Sequence, residues 1–310
     1  MRAVVQYRFG GPEVLEVVDV EQPVAGPGEV LVKVAAAGVN PLDWKIRSGD
    51  VPMYGEPPFV LGVDVSGTVE AVGPGVRRFA VGDAVFGMPR LPAPTRAYAE
   101  YLTAPADELA RKPETVDHPA AAGLASSALT AWQALVDIAD VRAGQRVLVH
   151  AAAGGVGHMA VQIAKARGGY VLGTARADKH EFLRGLGIDE PIDYTAVDFA
   201  EVARDVDVVF DLIGGEYGPR SLRTLRPGGL LVSAVRADPG TDEAEADARG
   251  VRFTLVGVAP SGTDLDEIAA LAAAGKLTAH VDTMLPLADA AKAHELGETG
   301  RVKGKIVLVP

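Results

Sequence analysis

Short apolar runs broken by glycine and proline occupy roughly the first hundred residues. Val14–Val20 and Glu29–Ala35 have strand-like composition, and the turn-rich Pro23–Gly28 (PVAGPG) separates them. Gly67–Val72 and Ala84–Phe86 follow, punctuated by Gly73-Pro74-Gly75 and Gly82-Asp83. Strands this short, with breaks this frequent, predict a compact, barrel-like all-β unit. The segment Gly49–Pro58 carries three prolines and two glycines and reads as a loop, as does Pro89–Thr95.

The pattern changes near Asp117. An Ala-rich helical stretch, Ala120–Ile138, leads through Arg142-Ala143-Gly144 into the apolar strand Arg146–His150. Strand and helix then alternate. Tyr170–Thr174 reads as a strand and Asp178–Leu186 as a helix, with Asp178 a plausible N-cap. Val206–Leu212, Gly229–Val235 and Arg252–Val258 are further predicted strands, with Ser221–Leu225 and Asp242–Ala248 helical between them. Apolar strands alternating with helices imply a doubly wound parallel sheet, buried on both faces. Leu265–Ala274 is a late helix and Lys303–Val309 a final strand. No internal repeat or low-complexity tail is visible.

A length of 310 residues fits two modest domains or one large one. The formal net charge of −11 sets the whole-molecule field against nucleic acid and anionic lipid, though a local basic pocket could still hold one phosphate. The absence of cysteine removes disulfides, thiolate nucleophiles and the commonest zinc ligand. The first residues, MRAVVQYRFGG, lack the apolar run of a signal peptide, and no apolar stretch is long enough to span a bilayer. A cytoplasmic protein is the expectation.

Arg146–Gly157 (RVLVHAAAGGVG) is a buried strand running into a glycine-rich turn that opens the helix His158–Ala166. The usual dinucleotide pattern is G-x-G-x-x-G, and here Ala152 takes the first place, followed by Gly154 and Gly157, with Gly155 and Val156 between them. Gly154 permits close approach of a pyrophosphate to the backbone, and Gly157 permits helix and strand to pack closely. The helix N-terminus adds free N–H groups and a positive dipole end. The bland alternative is a tight structural turn.

The end of the next strand bears on which dinucleotide binds. An NAD site places Asp or Glu there to accept bonds from the ribose 2′-OH. This chain has Gly173-Thr174-Ala175-Arg176 instead, and Arg176 and Lys179 supply charge suited to a 2′-phosphate. NADPH is the expected cofactor, against the alternative that both cations are plain surface charges.

These residues resemble the medium-chain dehydrogenase/reductase superfamily, and within it the zinc-independent quinone oxidoreductase branch. The resemblance runs over nearly the whole chain. It is carried by Gly38–Gly49 (GVNPLDWKIRSG), Leu61–Thr68 (LGVDVSGT), Val81–Phe86 (VGDAVF), Leu129–Trp132 (LTAW), Val149–Gly157 (VHAAAGGVG) and Lys303–Val309 (KGKIVLV). It implies an α/β protein in which a GroES-like β-rich catalytic domain, built from both chain ends, encloses a Rossmann domain, with the active site in the cleft between them. The expected divisions are 1–116, 117–260 and 261–310. Zinc-dependent relatives carry a cysteine after the Gly-Val of the first motif and a His-Glu pair in the second. Here those places hold Asn40 and Val63-Asp64, so no metal site is expected.

Without a metal, the easier hydride acceptor is one that spreads the negative charge itself. An enone becomes a delocalised enolate and a quinone a hydroquinone anion, so hydrogen-bond donors suffice to stabilise them. A proton must follow. The resemblance points to Tyr54, in the Gly49–Pro58 loop, as an active-site tyrosine; its alternative is a ring that anchors the loop. Lys45 is a second donor candidate or a solvated surface lysine. Asn40 and Asp43 match a cofactor-side motif, although Asp43 could equally cap a short helix. Thr130 corresponds to a residue near the cofactor, or to a helix hydroxyl bonded to its own backbone. Tyr194 resembles a tyrosine that lines the adenosine-phosphate pocket. Ile213, Gly214, Ser233, Ala234, Gly257 and Val258 follow later strand ends and should border the nicotinamide, since ligands sit at the carboxyl ends of parallel strands.

Three readings remain open: an enone or quinone reductase, an enoyl-thioester reductase of a biosynthetic pathway, and a non-catalytic NADPH-binding sensor. A short-chain dehydrogenase is disfavoured because no tyrosine has a lysine four positions on. The strand Arg252–Val258 should lie at a sheet edge with unpaired backbone groups, which predicts a homodimer formed through it.

Overall fold

The computed structural model describes all 310 residues, and they divide into two compact units. One comprises Met1–Leu129 with Ala259–Pro310, the other Thr130–Val258.

The first unit is built from strands β1 (Arg2–Gln6), β2 (Leu15–Asp19), β3 (Glu29–Val39), β4 (Phe59–Val60), β5 (Asp64–Val72), β6 (Ala84–Gly87), β7 (Tyr101–Pro105) and β8 (Leu109–Arg111). The chain end returns with β15 (Val281–Pro286) and β16 (Lys305–Val309). A three-stranded sheet runs β2-β1-β4, and a seven-stranded sheet runs β15-β16-β3-β5-β6-β8, with β7 also paired to β3. Every pairing is antiparallel except β15 with β16. Val-rich strands supply the core: Val30, Val32, Val65 and Val85 pack with Ile306 and Leu308 from β16. The last strand therefore belongs to the same hydrophobic cluster as the first hundred residues, which is why this unit needs both chain ends.

Four helices lie wholly or partly in this unit: α1 (Pro41–Ser48), α2 (His118–Trp132), α8 (Gly262–Ala273) and α9 (Ala290–Glu298). Pro41 stands in the first turn of α1, where its missing N–H costs nothing, and the Asp43 carboxylate accepts the Asn40 amide N–H at 2.8 Å. The division between the units falls inside α2, after Leu129.

The second unit is one parallel sheet, in order β11-β10-β9-β12-β13-β14. Its strands are β9 (Arg146–Val149), β10 (Tyr170–Ala175), β11 (Glu190–Asp193), β12 (Val206–Asp211), β13 (Leu225–Ser233) and β14 (Arg252–Leu255). Helices α3 (Gly157–Ala166), α4 (His180–Gly185), α5 (Phe199–Val202), α6 (Tyr217–Leu222) and α7 (Glu243–Ala248) connect them. Strand order reverses at β9, whose neighbours are β10 and β12, and that switch point is where open parallel sheets hold ligands.

Several local expectations are corrected. Asp178 is not a helix cap: it lies inside a 3-10 turn (Ala177–Lys179) that precedes α4, and neither N-cap there makes a side-chain capping bond. The helix expected at Ser221–Leu225 lies earlier, at Tyr217–Leu222, and Leu225 already begins β13. Apolar residues at Leu222 and Leu225 have a spacing that suits a helix face, but parallel pairing of Leu225 with Val206 claims the second one. The long helix expected over Ala120–Ile138 changes at Gln133 into a π-helical segment, Gln133–Ile138. The edge strand β14 is shorter than Arg252–Val258.

Candidate active site

The glycine-rich turn sits at the switch point of the second unit. After β9 the chain turns through Ala151–Val156 into α3. A Cβ on Gly157 would lie 2.2 Å from the Ala151 carbonyl oxygen, so only glycine allows the helix to start against the strand end. Gly154, Gly155 and Val156 are the more open part of the loop, while Ala152 and Ala153 are buried. The amides of Gly155, Val156 and Gly157 donate to no group of the chain, and the N-cap residue Val156 offers no side-chain cap. Three uncommitted N–H groups thus stand at the start of a ten-residue helix, where the positive dipole end favours negative charge.

A buried network supports this loop. The Thr174 hydroxyl, at the end of β10, accepts the Ala151 amide N–H at 3.2 Å, and the Thr174 carbonyl accepts that of Ala152 at 3.0 Å. His150 Nδ1 lies 3.2 Å from the same hydroxyl, and its Nε2 lies 2.9 Å from Ser221 Oγ. Burial and the nearby Arg220 push the His150 pKa down to about 3, so its ring is neutral and has one donor and one acceptor nitrogen. Phe199 and Tyr217 enclose it, with ring centroids at 4.5 and 4.9 Å.

The other residues expected at the cofactor follow the remaining strand ends. Arg176 is exposed after β10, and Lys179 is half-buried, 3.9 Å from the Asp178 carboxylate. Tyr194 is exposed just after β11. Beyond β12, Asp211 is buried and accepts the amides of Ile213 (3.0 Å) and Gly214 (3.1 Å). The Ser233 hydroxyl at the end of β13 donates to Asp211 at 3.0 Å. Ser233 and Gly214 are therefore tied to each other through a carboxylate that sequence reasoning passed over. Ala234 is half-buried after β13, and Gly257 and Val258 are exposed and half-buried after β14. Thr130 lies in the last turn of α2, half-buried.

In the first unit a second buried polar cluster surrounds α1. The Asp64 side chain is sealed from solvent and takes the Ser126 amide N–H (2.9 Å), the Ser126 hydroxyl (3.0 Å), the Asn40 Nδ2 (2.9 Å) and the Lys305 ammonium (3.3 Å). Lys305 also donates to Asn40 Oδ1. Both ends of the Asn40 amide are thus engaged, with one N–H left over. A Cβ on Gly38 would meet Asp64 Oδ2 at 2.7 Å and the Ala122 carbonyl oxygen at 2.8 Å, so this cluster demands glycine on β3.

Asp43 is fully buried. Its Oδ2 caps α1, but its Oδ1 has no hydrogen-bond partner, and burial with the neighbouring Asp64 charge pushes its pKa up to about 7. The Tyr54 hydroxyl is also buried without a partner, with its ring edge-on to Phe59. Burial and the Asp43 charge raise the Tyr54 pKa above the ordinary tyrosine value. Lys45 is exposed on α1. Sequence reasoning also passed over Tyr98, His294 and Arg47. Tyr98 Oη lies 3.2 Å from His294 Nε2, and His294 Nδ1 lies 3.1 Å from Arg47 Nη1. The signal available for His294 was its place in Ala290–Leu296 (AAKAHEL), a histidine beside alanines on an amphipathic stretch.

One unit has a parallel sheet with uncommitted amides at its switch point and the other has buried hydroxyl and carboxyl groups, and these are the parts of a dinucleotide-type oxidoreductase. Comparison with known proteins agrees. The alcohol dehydrogenase GroES-like domain model matches residues 26–114, and the zinc-binding dehydrogenase model matches residues 186–308. A 2-haloacrylate reductase from Burkholderia sp is 37% identical, with 99% of this chain and 98% of that protein covered. The quinone oxidoreductase structure from Coxiella burnetii superposes with a TM-score of 0.94 at 36% identity, covering 100% of this chain and 99% of that one. The Escherichia coli quinone oxidoreductase complexed with NADPH gives 0.90 at 30% identity, with both chains fully covered at 100%. The chain belongs to the medium-chain dehydrogenase/reductase superfamily, in its quinone oxidoreductase-like branch. It is an oxidoreductase enzyme.

The zinc named by one of these models does not fit the residues present. Asp64, at the position of the zinc relatives' His-Glu pair, already holds an ammonium group, and no group of three or more histidine, aspartate or glutamate side chains is placed to bind an ion. No helix is long and apolar enough to cross a membrane.

Proposed function

We propose that this enzyme uses NADPH to reduce a quinone or an α,β-unsaturated carbonyl compound, without a metal. The observation that carries the reading is the set of free amides at Gly155, Val156 and Gly157, with Arg176 and Lys179 beyond the next strand. The amides suit the pyrophosphate, and the two cations suit a 2′-phosphate on the adenosine ribose. Thr130, Ala152, Gly154, Thr174, Tyr194, Ile213, Gly214, Ser233, Ala234, Gly257 and Val258 complete the cofactor's surroundings in this reading. The NADPH complex of the Escherichia coli relative supports it.

Bound NADPH supplies the hydride. The protein's part is to orient the acceptor, stabilise charge and deliver a proton. The Tyr54 hydroxyl, buried and unpartnered, is the proton donor in this reading. Leaving such a group unbonded costs about 1–3 kcal/mol, which a substrate oxygen would offset on arrival. Asn40 contributes its remaining N–H to substrate or nicotinamide, and Lys45 adds positive potential. An enone is the stronger candidate of the two acceptors, because the haloacrylate reductase relative is named for a substrate with a conjugated double bond. The domain divisions 1–116, 117–260 and 261–310, a cytoplasmic location and a homodimer through β14 belong to the same reading.

Calorimetry with NADPH and NADH tests the cofactor assignment. Arg176→Ala and Lys179→Ala together should weaken NADPH about tenfold or more and leave NADH within about twofold. Equal affinity of the unaltered protein for both cofactors would overturn it. Product analysis with 2-cyclohexen-1-one decides the chemistry: the saturated ketone supports conjugate reduction, and the allylic alcohol opposes it. Light scattering should give twice the chain mass.

A further inference from the structure

Ala151, the first residue of the glycine-rich turn, has a backbone φ of 47°. That is the left-handed region, which a residue with a Cβ adopts only where its neighbours hold it. The conformation has a use. The Ala151 carbonyl oxygen accepts the Gly154 N–H at 2.9 Å, and α3 begins against the same oxygen at Gly157. The amides that this turn leaves over are those of Gly155, Val156 and Gly157.

Thr174, near the end of β10, is what holds Ala151. Its hydroxyl accepts the Ala151 N–H at 3.2 Å and its carbonyl accepts the Ala152 N–H at 3.0 Å, so one residue takes two consecutive amides. Thr174 is sealed from solvent, and its hydroxyl therefore serves the loop. Gly173 beside it lets the strand end lie close, since a Cβ there would come 2.7 Å from the Ala152 Cβ.

The Thr174 hydroxyl is itself held. His150 Nδ1 stands 3.2 Å from it, and His150 Nε2 stands 2.9 Å from the Ser221 hydroxyl of α6. A neutral imidazole has one donor and one acceptor nitrogen, so one of these hydroxyls donates to the ring and the other accepts from it. Phe199 and Tyr217 keep the ring from turning. The Arg220 guanidinium lies over both of their rings, 4.5 and 5.3 Å from the centroids. A packed series thus runs from α6 through His150, just after β9, to the end of β10 and into the loop.

We propose that Thr174, oriented by His150, is a positioning residue for the dinucleotide: it locks Ala151 in the left-handed conformation that leaves the Gly155, Val156 and Gly157 amides open to the pyrophosphate. The proposal rests on the reading of these amides as the pyrophosphate site. Without the Thr174 hydroxyl, Ala151 would relax to the commoner negative φ and its carbonyl would leave Gly154. The loop would then have to be ordered again when the cofactor arrives, which weakens binding. Glycine at position 151 escapes this penalty, because it populates positive and negative φ about equally well.

Calorimetric titration with NADPH, paired with urea denaturation of the cofactor-free protein, tests it. Thr174→Val keeps the shape of the side chain but offers no acceptor, and should weaken NADPH about tenfold. Thr174→Ser keeps the hydroxyl and should stay within about threefold of the unaltered affinity. Adding Ala151→Gly to Thr174→Val should restore affinity to within about threefold. Stability should stay below that of the unaltered protein, because the Ala151 N–H and the His150 ring still lack their hydroxyl partner. Affinity regained without stability marks a positioning role. A double variant as weak as Thr174→Val overturns the proposal, and so does full affinity in Thr174→Val.

His150→Asn puts an amide near the former Nδ1 and keeps a partner for Thr174, whereas His150→Gln puts it near Nε2 and keeps one for Ser221. Only the second should weaken NADPH, by about threefold or more, and equal losses would overturn the part given to His150. Val156→Pro separates the proposal from the reading beneath it. A φ of −79° at Val156 suits proline, which removes one of the uncommitted amides. If Val156→Pro binds NADPH as tightly as the unaltered protein, the pyrophosphate reading and the proposal both fail. If Val156→Pro is weakened while Thr174→Val is not, the reading stands and the proposal is overturned. Should Thr174→Val fail to fold, Ala151→Val decides, since a side chain branched at Cβ disfavours the left-handed region more strongly than alanine does. A loss of about tenfold supports the proposal, and unchanged affinity overturns it.

Discussion

Lys305 on the last strand reaches the Asp64 carboxylate on β5, placing its ammonium 3.3 Å from Oδ2 with both side chains almost sealed from water. The pair joins the end of the chain to its first third, with Asn40 and Ser126 completing the shell of hydrogen bonds. Removing one partner of such a pair leaves a buried charge unpaired. Lys305→Met should therefore lower unfolding free energy by about 3–5 kcal/mol, read from urea denaturation at pH 7. Adding Asp64→Asn should recover part of the loss, and a double variant as unstable as the single one would show that the charge is not the cause.

Gly157→Ala should damage the dinucleotide loop far more than Gly154→Ala. The new Cβ at 157 would lie 2.2 Å from the Ala151 oxygen, whereas at 154 its nearest neighbour is that same oxygen at 3.2 Å. The stability of the cofactor-free protein, followed by urea denaturation, should fall by about 1–3 kcal/mol for the first and by less than about 1 kcal/mol for the second, and equal losses would contradict it.

His150 gives a pH prediction with a definite sign. It stays neutral in the folded protein down to about pH 3 but takes a proton near 6.5 when unfolded. Between those values the unfolded chain binds more protons, so this histidine lowers stability as pH falls. The slope is about 1.4 kcal/mol per pH unit for one such group. His294 acts in the same direction over the same window. Asp43 acts oppositely: it keeps its proton up to about pH 7 when folded and loses it near 3.8 when unfolded, so its contribution weakens as pH rises between them. His150→Gln should thus reduce the loss of stability from pH 6 to pH 5 by about 1 kcal/mol relative to the unaltered protein, measured by urea denaturation at both pH values. An unchanged pH dependence would contradict a neutral His150.

Asp211 holds the ends of β12 and β13 together by accepting from Ile213, Gly214 and Ser233. Asp211→Ala would strand two buried donors and should cost about 2–4 kcal/mol in stability. Asp211→Asn keeps an acceptor oxygen and should cost less. Thermal denaturation of the two variants side by side checks the order.

Most of the parallel sheet was legible because its strands are apolar runs bounded by glycine and acidic or basic residues, and their local signal is strong. The glycine turn was legible for the same reason, since Gly154 and Gly157 have a local geometric role. The small strands β1, β7, β8 and β15 carried little signal of their own, because what makes them strands is pairing with partners far along the chain. Leu225 shows the same limit: its spacing from Leu222 suits a helix, and Val206 makes it a strand.

Asn40, Asp43 and Tyr54 were found by motif, but the sequence could not say which of their atoms would be free. For Asn40 that depends on residues as remote as Ser126 and Lys305, the second brought to it by the return of the chain end to the first unit. The sequence by itself determined the glycine turn, the cations after the second parallel strand and the lack of cysteine, since each is a property of the residue types and their spacing. Tertiary structure alone decided which carboxyl oxygen is buried without a partner, which amides stay uncommitted and which lysine is buried, because burial and long-range pairing set those energies and neither is local in the chain.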